Sequence, residues 1–386
     1  MLAWALLADV VPLYPLYALL FADAGLSGAR ISMLFAIWSG VGMTAEVPTG
    51  LIADRFRRRW SLVVGGTAQA AAYAVWITRP DIAGFAVGFA VWGVGGAFVS
   101  GASEALLYEG LAAQGAESHF PRLLGRMTAL GLLAQLPAAA AATVLFALGG
   151  YPLVGWSSVG VCLAAALLAA MIPEPPAPDA EAAPAGAKAG ADEELPGLRN
   201  ALAELRRAPA VRGAVAAVAL LTGLDAFEEY VPLLAQDWSV PVAVVPLAVL
   251  GLPLAGAIGA ALGERGTASG QRLALKLVVA ALLLCGACLL RVPPALALAF
   301  GFYGGYQSVL VAAGSALQQR ITGRSRATVT SVAALAGELT AFGIYAAWAA
   351  GGGIGVAALV AAVALVLPHC LGAGPSASQL VERTIV

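Results

Sequence analysis

Apolar runs of about twenty residues recur along this chain, and that recurrence restricts the possible fold more than any other feature. A helix of about 20 apolar residues is needed to cross a bilayer. Proline, glycine and charged residues punctuate the sequence into twelve such runs. The pattern therefore predicts an all-α integral membrane protein with twelve transmembrane helices, at 1–22, 29–50, 60–78, 81–108, 124–148, 151–172, 210–235, 240–262, 272–291, 293–317, 327–349 and 353–372.

The amount of charge agrees with a membrane protein. Only 11% of the 386 residues are charged, whereas a soluble domain has about 25%. The first 22 residues contain Asp9 and lack a basic leading region, which favours a first membrane helix over a signal peptide. Because this helix starts at Met1, a native start codon upstream stays open.

A polar stretch at residues 173–208 separates six predicted helices from the next six. It is rich in Pro, Ala and Gly, which predicts a disordered linker ending in a short surface helix. The predicted domains are an N-terminal six-helix bundle (1–172), a cytoplasmic linker (173–208), and a C-terminal six-helix bundle with a short tail (209–386). With the N-terminus inside, all Lys and Arg residues except Arg30, Arg79 and Arg291 fall on cytoplasmic segments. The positive-inside rule then places both termini in the cytoplasm.

A burst of charge interrupts the apolar pattern in EVPTGLIADRFRRR, residues 46–59. The spacing Gly50-x-x-x-Asp54-Arg55-x-x-Arg58-Arg59 resembles the signature loop of the major facilitator superfamily, although Arg57 stands where that family usually has Gly. In that family the Asp caps and pairs with a neighbouring helix end, and the basic residues latch the two halves on the cytoplasmic side. The resemblance implies a cytoplasmic gating motif made by Gly50, Asp54, Arg55, Arg58 and Arg59.

The resemblance covers the whole chain. LYPLYALLFADAGLS, SGASEALLYEGL, DAFEEYVPLL and RATVTSV look like segments of one bacterial branch whose members mostly have no assigned substrate, and GERGTASGQR at 263–272 looks like a decayed copy of the loop. It implies two six-helix bundles around a cavity lined by helices 1, 4, 7 and 10, usually in a monomer. Two family patterns are missing. The fourth helix lacks the mid-membrane Arg of proton-coupled members, and the fifth has Pro137 without the Gly-Pro-x-x-Gly-Gly of drug antiporters.

The ionisable residues predicted to lie deep in the membrane are all acids. Such residues are costly in a bilayer, usually face a cavity and mark transport pathways. An acid that changes charge near neutral pH can carry a proton, and an acid that stays ionised can bind a cationic substrate. Together with polar neighbours on the helices expected to line the cavity, the candidates for proton coupling or substrate binding are Asp9, Glu104, Tyr108, Asp225, Glu228, Glu229, Tyr303, Tyr306 and Gln307.

Several acids have a structural interpretation beside the functional one. Glu228 and Glu229 lie near a predicted helix end, where solvation alone would explain one of them. Glu46 precedes Pro48 and serves either packing or gating, and Glu338 lies in the middle of the eleventh predicted helix, where a gating or coupling role is favoured. Glu109 is expected at the membrane interface in a structural role.

The sequence offers nothing for a metal, a cofactor or an enzyme. Cys285 and Cys288 form a CxxC without a second ligand pair, and His119 and His369 lie near predicted helix ends. No Walker A sequence occurs, and no Ser-His-Asp or Cys-His arrangement stands out. We predict no cofactor, no metal, no catalytic residue and no nucleic-acid partner.

The leading hypothesis is a secondary transporter of the bacterial inner membrane that exports a small neutral or cationic organic molecule in exchange for protons. The all-acid membrane interior favours a proton or a cation, because no predicted base there would attract an anion. Two alternatives are a proton-coupled uptake symporter for a nutrient and a non-transporting membrane sensor or assembly partner. Lipid translocation is a further possibility that the sequence leaves open.

Overall fold

The computed structural model describes residues 1–55, 57–173, 207–263, 269–321 and 326–372. All regular secondary structure in these ranges is helical. Nearly all of the predicted linker at 173–208, half of the predicted loop copy at 263–272 and the C-terminal tail lie outside the described residues.

The helices follow the apolar runs closely. In the first half they are α1 (Leu2–Asp9), α2 (Tyr17–Asp23), α3 (Gly28–Arg55), α4 (Arg58–Thr78), α5 (Ile82–Ala112) and α6 (Phe120–Ala170). In the second half they are α7 (Pro209–Thr222), α8 (Val231–Asp237), α9 (Val245–Ala248), α10 (Gly251–Gly263), α11 (Gly270–Leu290), α12 (Leu296–Arg320) and α13 (Arg326–Leu371). Short 3₁₀ segments occupy Tyr14–Leu16, Glu117–His119, Gly223–Tyr230 and Pro293–Ala295.

Eight helical stretches in the described chain are long and apolar enough to cross a membrane. Two of them, Glu117–Ala170 and Thr328–Leu371, contain 54 and 44 residues. A helix of about 20 residues already spans about 30 Å, so each of these two stretches is long enough for two crossings. This is a multi-pass membrane protein.

The two longest helices are broken at equivalent glycine pairs. Gly150 has φ 62° and ψ −159°, and Gly352 has φ 56° and ψ −145°. The preceding residues, Gly149 and Gly351, are also alike, with φ of −155° and −153°. A side chain is strained at such a positive φ. The matching geometry explains why Gly-Gly ends the predicted helices 124–148 and 327–349 alike, and it agrees with a chain built from two related halves.

Three predicted helices are less regular in the structure. The first predicted helix divides into α1 and α2, because Pro12 and Pro15 lack the N–H groups that a continuous helix would use. The predicted helix 210–235 is interrupted by the 3₁₀ segment Gly223–Tyr230, and the predicted helix 240–262 begins only at Val245 and breaks again before α10.

The described contacts divide the chain into two compact units. Unit 1 contains Met1–Pro178 and Glu229–Gly251, and unit 2 contains Asp179–Glu228 and Leu252–Val386. The segment Glu229–Gly251 therefore packs with the N-terminal helices, although the sequence pattern predicts it as part of the C-terminal bundle. The change of unit falls between Glu228 and Glu229, inside the 3₁₀ segment.

Unit 1 has an aromatic core. Buried rings from α2, α3, α4 and α5 contact each other at centroid separations such as 5.0 Å for Phe21–Trp76 and 4.8 Å for Trp76–Phe89. The indole N–H of Trp76 donates to the Phe85 carbonyl at 3.1 Å, which satisfies the polar atom of a fully buried ring. These edge-to-face pairs stabilise the packing beyond the area they bury.

Glycines of the GVGGAF stretch bring α5 against its neighbours. A Cβ on Gly95 would lie 2.7 Å from the Cβ of Ala68 in α4, and a Cβ on Gly93 would lie 3.0 Å from the Trp38 carbonyl in α3. Small residues at helix contacts allow this close approach in membranes. Gly93 and Gly95 are therefore helix-packing positions.

In unit 2 the guanidinium of Arg320 joins three helix ends. At the end of α12 it donates to the Ala210 carbonyl in α7 at 3.1 Å and to the Leu371 carbonyl in α13 at 2.6 Å. Carbonyls in the last turn of a helix lack intrahelical donors. Arg320 therefore supplies Leu371 with a charged donor that the helix cannot provide.

Replacement of Arg320 by glutamine is expected to destabilise unit 2 by about 2 kcal/mol, because hydrogen bonds from charged groups contribute about 1.5–3 kcal/mol each and the amide is too short to reach both carbonyls. Thermal unfolding of the purified protein, followed by tryptophan fluorescence, measures this. Arg272→Gln is the matched control, since Arg272 is exposed and has no described partner. Equal melting of the two variants would contradict the role of Arg320.

Candidate functional site

Unit 1 contains a half-open cavity of about 660 Å³. Its lining combines two acids with aromatic rings and neutral polar groups, contributed by α1, the following 3₁₀ turn, α4, α5 and α6. No Lys, Arg or His occurs among the lining residues that the structure describes. The functional side chains of the lining are Trp4, Asp9, Tyr14, Gln69, Trp92, Ser100, Ser103, Glu104, Thr128 and Gln135.

The two cavity acids are open to a ligand. Asp9 ends α1 and Glu104 lies on α5, and both side chains are exposed within the protein structure. Neither has a hydrogen-bond or ion-pair partner among the described residues. Carboxylates that share a cavity with aromatic rings are suited to an organic cation, because both electrostatic attraction and cation–π contacts favour positive charge.

Gly131 of α6 leaves room for the Asp9 carboxylate. A Cβ on Gly131 would lie 2.6 Å from Asp9 Oδ2. Real Cβ atoms do not approach so closely, and the carboxylate is the part of the pair that can rotate. The glycine therefore determines where the Asp9 charge sits in the cavity.

We expect Gly131→Ala to turn the Asp9 carboxylate away and to weaken binding of a lipophilic cation about threefold to tenfold, a change of about 0.7–1.4 kcal/mol. Titration with tetraphenylphosphonium, read from tryptophan fluorescence, measures the affinity. Gly125→Ala on the same helix is the control, because a Cβ at Gly125 meets nothing within 4 Å. The substitution should have no further effect in an Asp9→Ala background, and additive losses there would contradict the proposed contact.

A second polar site lies in unit 2 around Asp225. Its Oδ1 accepts hydrogen bonds from Tyr303 Oη at 2.8 Å, Tyr306 Oη at 3.1 Å and Gln307 Nε2 at 3.1 Å. Both tyrosines are buried. The Tyr303 hydroxyl also lies 3.5 Å from Glu228 Oε2. Because three donors share one oxygen, a proton on that oxygen would force at least one donor to turn away.

The helix around these acids differs from the sequence prediction. In an α-helix, Asp225 would share a face with Glu228 and with Glu229, and those two neighbours would diverge by about 100°. The segment Gly223–Tyr230 is instead a 3₁₀ helix, in which residues three apart eclipse. Asp225 and Glu228 therefore both reach Tyr303, whereas Glu229 is directed elsewhere and accepts a hydrogen bond from the Tyr17 hydroxyl within unit 1.

The remaining candidates lie outside these two sites. Tyr108 is exposed, stacks edge-on against Phe120 at 5.5 Å and does not line the cavity beside Glu104. The Ser100 hydroxyl lies 3.5 Å from Glu46 Oε1, and Glu338 lies exposed on α13.

The charged loop is described only in part. Arg58 Nε donates to Glu109 Oε1 at 2.7 Å, which joins the start of α4 to the end of α5. Arg59 lies over the Trp60 ring at 5.5 Å, and Gly50 is exposed. The side chains of Asp54 and Arg55 lie outside what the structure describes.

The sequence analysis missed the neutral residues of the unit-1 cavity and the partner of Glu229. Gln69, Gln135 and Trp92 line the cavity, and Tyr17 meets Glu229. A single amide or ring in an apolar run resembles a packing residue, so the sequence holds little signal for the cavity. The pair Tyr14 and Tyr17 in LYPLY was a usable signal for the first helix.

Comparison with known proteins agrees with this architecture. A bacterial homologue of the human lysosomal transporter Spinster, in an inward-facing and occupied conformation, shares 14% identity at a TM-score of 0.67, covering 96% of this chain and 93% of its own. A D-xylose–proton symporter shares 13% identity at 0.68, covering 94% of each chain. The nucleoside transporter NupG shares 13% identity at 0.69, covering 96% of this chain and 97% of its own.

At these identities the solved structures establish the fold alone. No curated protein matches the sequence. The sequence model of the Major Facilitator Superfamily matches residues 1–345, which is most of the chain. The protein is therefore a transporter and not an enzyme, and the chain belongs to the Major Facilitator Superfamily.

Proposed function

We propose that this transporter exports a small organic cation, or a neutral compound of similar shape, across the bacterial inner membrane in exchange for protons. The observation that carries the proposal is the cavity of unit 1, where Asp9 and Glu104 lie without a described partner among aromatic and neutral polar groups. A cation that enters this cavity would gain attraction from two carboxylates and from ring faces.

Proton exchange follows from competition for the same carboxylates. A carboxylate that holds a proton cannot attract a cation equally well, so binding of either partner opposes binding of the other. Asp225 is the third candidate, because protonation of its shared oxygen would disturb the contacts with Tyr303, Tyr306 and Gln307. Binding of a proton to Asp225 would therefore change the structure around it.

The topology proposed for this function has twelve helices in two six-helix bundles, joined by the segment 173–208, with both termini in the cytoplasm. The distribution of Lys and Arg along the sequence supports this orientation, and the lengths of the two interrupted helices support the count. In this arrangement the loop with Gly50, Asp54, Arg55, Arg58 and Arg59 is a cytoplasmic gating element. Glu46 and Glu338 are proposed to act in gating. A monomer is the proposed functional unit.

Uptake of a nutrient with protons is the second candidate. The Asp225 cluster favours it, since a carboxylate beside two phenols and an amide suits a hydroxylated or amine ligand. The direction of coupled flow separates the two candidates. In liposomes with an imposed pH gradient, an exporter of this kind moves its substrate against the proton flow, and a symporter moves substrate and protons together.

The test of proton-linked binding uses purified protein in weakly buffered detergent solution. We expect tetraphenylphosphonium to release protons, detected by a pH-sensitive dye, whereas tetraphenylborate, of the same shape and opposite charge, should release none. At least one of the variants Asp9→Asn, Glu104→Gln and Asp225→Asn should lose the response. If a panel of cationic and neutral amphiphiles releases no proton, and the three variants match the wild type, the proposal of proton exchange fails.

A further inference from the structure

The first half of α11 has an apolar face that does not pack against unit 2. Leu275 and Leu282 are each 65% exposed, and Val279 between them is also exposed. The buried side chains of this stretch lie on the opposite face and are Leu273, Leu277, Ala280, Ala281 and Leu284. Because α11 is long and apolar enough to cross a membrane, its exposed apolar face meets the acyl chains of lipids.

Two cations lie on the same exposed face. Arg272 and Lys276 are exposed, and spacings of three and four residues place them in line with Leu275 and Val279. Lys276 follows Gly270 by six residues, which is about 9 Å along a helix. A lysine among exposed apolar residues at such a depth keeps its ammonium at the level of the lipid headgroups.

The protein that the structure describes does not neutralise these cations. Arg272 and Lys276 have no hydrogen-bond or ion-pair partner among the described residues, and α11 contains no Asp or Glu. A Cβ on Gly270 would lie 3.1 Å from the Cβ of Leu371, so the end of α13 adjoins the start of α11. The described helix ends at this side of unit 2 carry no acid and several basic residues, namely Arg212, Arg320, Arg326 and His369.

The start of α4 differs in this respect. It follows the signature loop, as the start of α11 follows the predicted copy of that loop. Arg58 donates to Glu109 Oε1 at 2.7 Å, and Arg59 lies over the Trp60 ring. The cations at the start of α4 therefore contact protein groups, whereas those of α11 are available to an external anion.

We propose that the exposed face of α11 binds one anionic phospholipid. Its phosphate lies between Arg272 and Lys276, and an acyl chain lies along Leu275, Val279 and Leu282. Cations four residues apart on a helix are close enough to contact one phosphate, and charge-assisted hydrogen bonds to phosphate are strong. The apolar residues favour a lipid over soluble phosphate, because they are covered only by a ligand with an acyl chain.

The test titrates delipidated full-length protein in detergent with dioleoyl phosphatidylglycerol, and native mass spectrometry measures the bound lipid. Dioleoyl phosphatidylcholine has the same chains and no net charge. We expect the anionic lipid to bind about 30-fold more tightly, a difference of about 2 kcal/mol, because each basic residue at a membrane surface adds to the attraction for anionic lipid. The double variant Arg272→Gln, Lys276→Gln should bind the two lipids alike.

The matched control is the double variant Arg30→Gln, Arg291→Gln, which also removes two exposed cations. Arg291 lies at the opposite end of α11, so this control should keep the preference of the wild type. Lys276→Arg, which retains the charge, should keep it as well. Without added lipid, the variants at Arg272 and Lys276 should unfold at the temperature of the wild type, since neither side chain has a described protein partner.

Equal binding of the two lipids to the wild type would overturn the inference, because the lipids would then form an unselective layer. A loss of preference in the matched control would overturn it too, by assigning the effect to net charge. Displacement of phosphatidylglycerol by inorganic phosphate would replace the lipid with a soluble anion. The inference does not rest on the proposed function: a cavity that releases no proton on cation binding would refute the exchange and leave the lipid preference unchanged.

Discussion

Neutralisation of both cavity acids, Asp9→Asn together with Glu104→Gln, is expected to weaken binding of tetraphenylphosphonium about 100-fold, or about 2.7 kcal/mol. Both carboxylates line the same cavity and have no described partner, so each is available to the cation. Two charges 4 Å apart attract by about 4 kcal/mol at an effective dielectric constant of about 20. A tenfold loss of affinity for each acid corresponds to about 1.4 kcal/mol, which is a moderate part of that energy.

The affinity is measured by titration of intrinsic tryptophan fluorescence, since Trp4 and Trp92 line the cavity. Glu117→Gln is the matched control, because Glu117 is an exposed acid in a 3₁₀ turn outside the cavity lining. Tetraphenylborate provides the second control, and its affinity should rise or stay constant in the double variant. A double variant that binds the cation as tightly as the Glu117→Gln protein would exclude the cavity as a cation site.

Replacement of Asp225 by alanine is expected to lower the stability of the protein by about 3 kcal/mol and to abolish proton-linked transport. Two buried phenols and an amide would lose their shared acceptor, and a buried group left without its partner costs about 1–3 kcal/mol. Asp225→Asn retains an acceptor oxygen and should lose less stability, while it still removes the titratable charge.

Comparison of the two variants therefore separates the effect of Asp225 on protein stability from its effect on proton coupling. In thermal unfolding in detergent, the wild type should have the highest melting temperature, Asp225→Asn a lower one and Asp225→Ala the lowest. Substrate flux in liposomes under a pH gradient should be lost in both variants. Tyr303→Phe is a useful companion, because it removes one donor and leaves the charge. If the asparagine variant keeps pH-driven flux, Asp225 has a structural role only.

The two halves are alike at their glycine breaks. The Gly149–Gly150 and Gly351–Gly352 breaks share one backbone geometry. Each candidate site also has a glycine opposite a functional group: Gly131 faces Asp9, and a Cβ on Gly256 would lie 2.8 Å from Tyr303 Cε1. A glycine at such a position trades helix propensity for space beside a polar side chain. Substitutions at these glycines are a sensitive way to alter either site without removing its charge.

Local features of the sequence predicted most of the helices. Apolar runs bounded by Pro, Gly and charge gave the ends of α4, α5 and α11 within a few residues, because a membrane helix satisfies its own backbone and needs only length and apolarity. The glycine pairs marked the breaks in α6 and α13, since the positive φ at Gly150 and Gly352 favours glycine. The prolines of the first apolar run are also visible in the sequence, but the sequence does not show whether they interrupt the helix.

The sequence by itself determined an all-helical membrane chain, the residue types available for a site, and the likeness to a transporter family. Only the tertiary structure decided how the acids are divided: Asp9 and Glu104 into one cavity, Asp225 and Glu228 toward Tyr303, and Glu229 toward Tyr17. The physical reason is that hydropathy and helical period are local, whereas a side chain's partners depend on which helices pack together. One 3₁₀ segment, which a propensity pattern does not distinguish from an α-helix, was enough to send neighbouring acids to different partners.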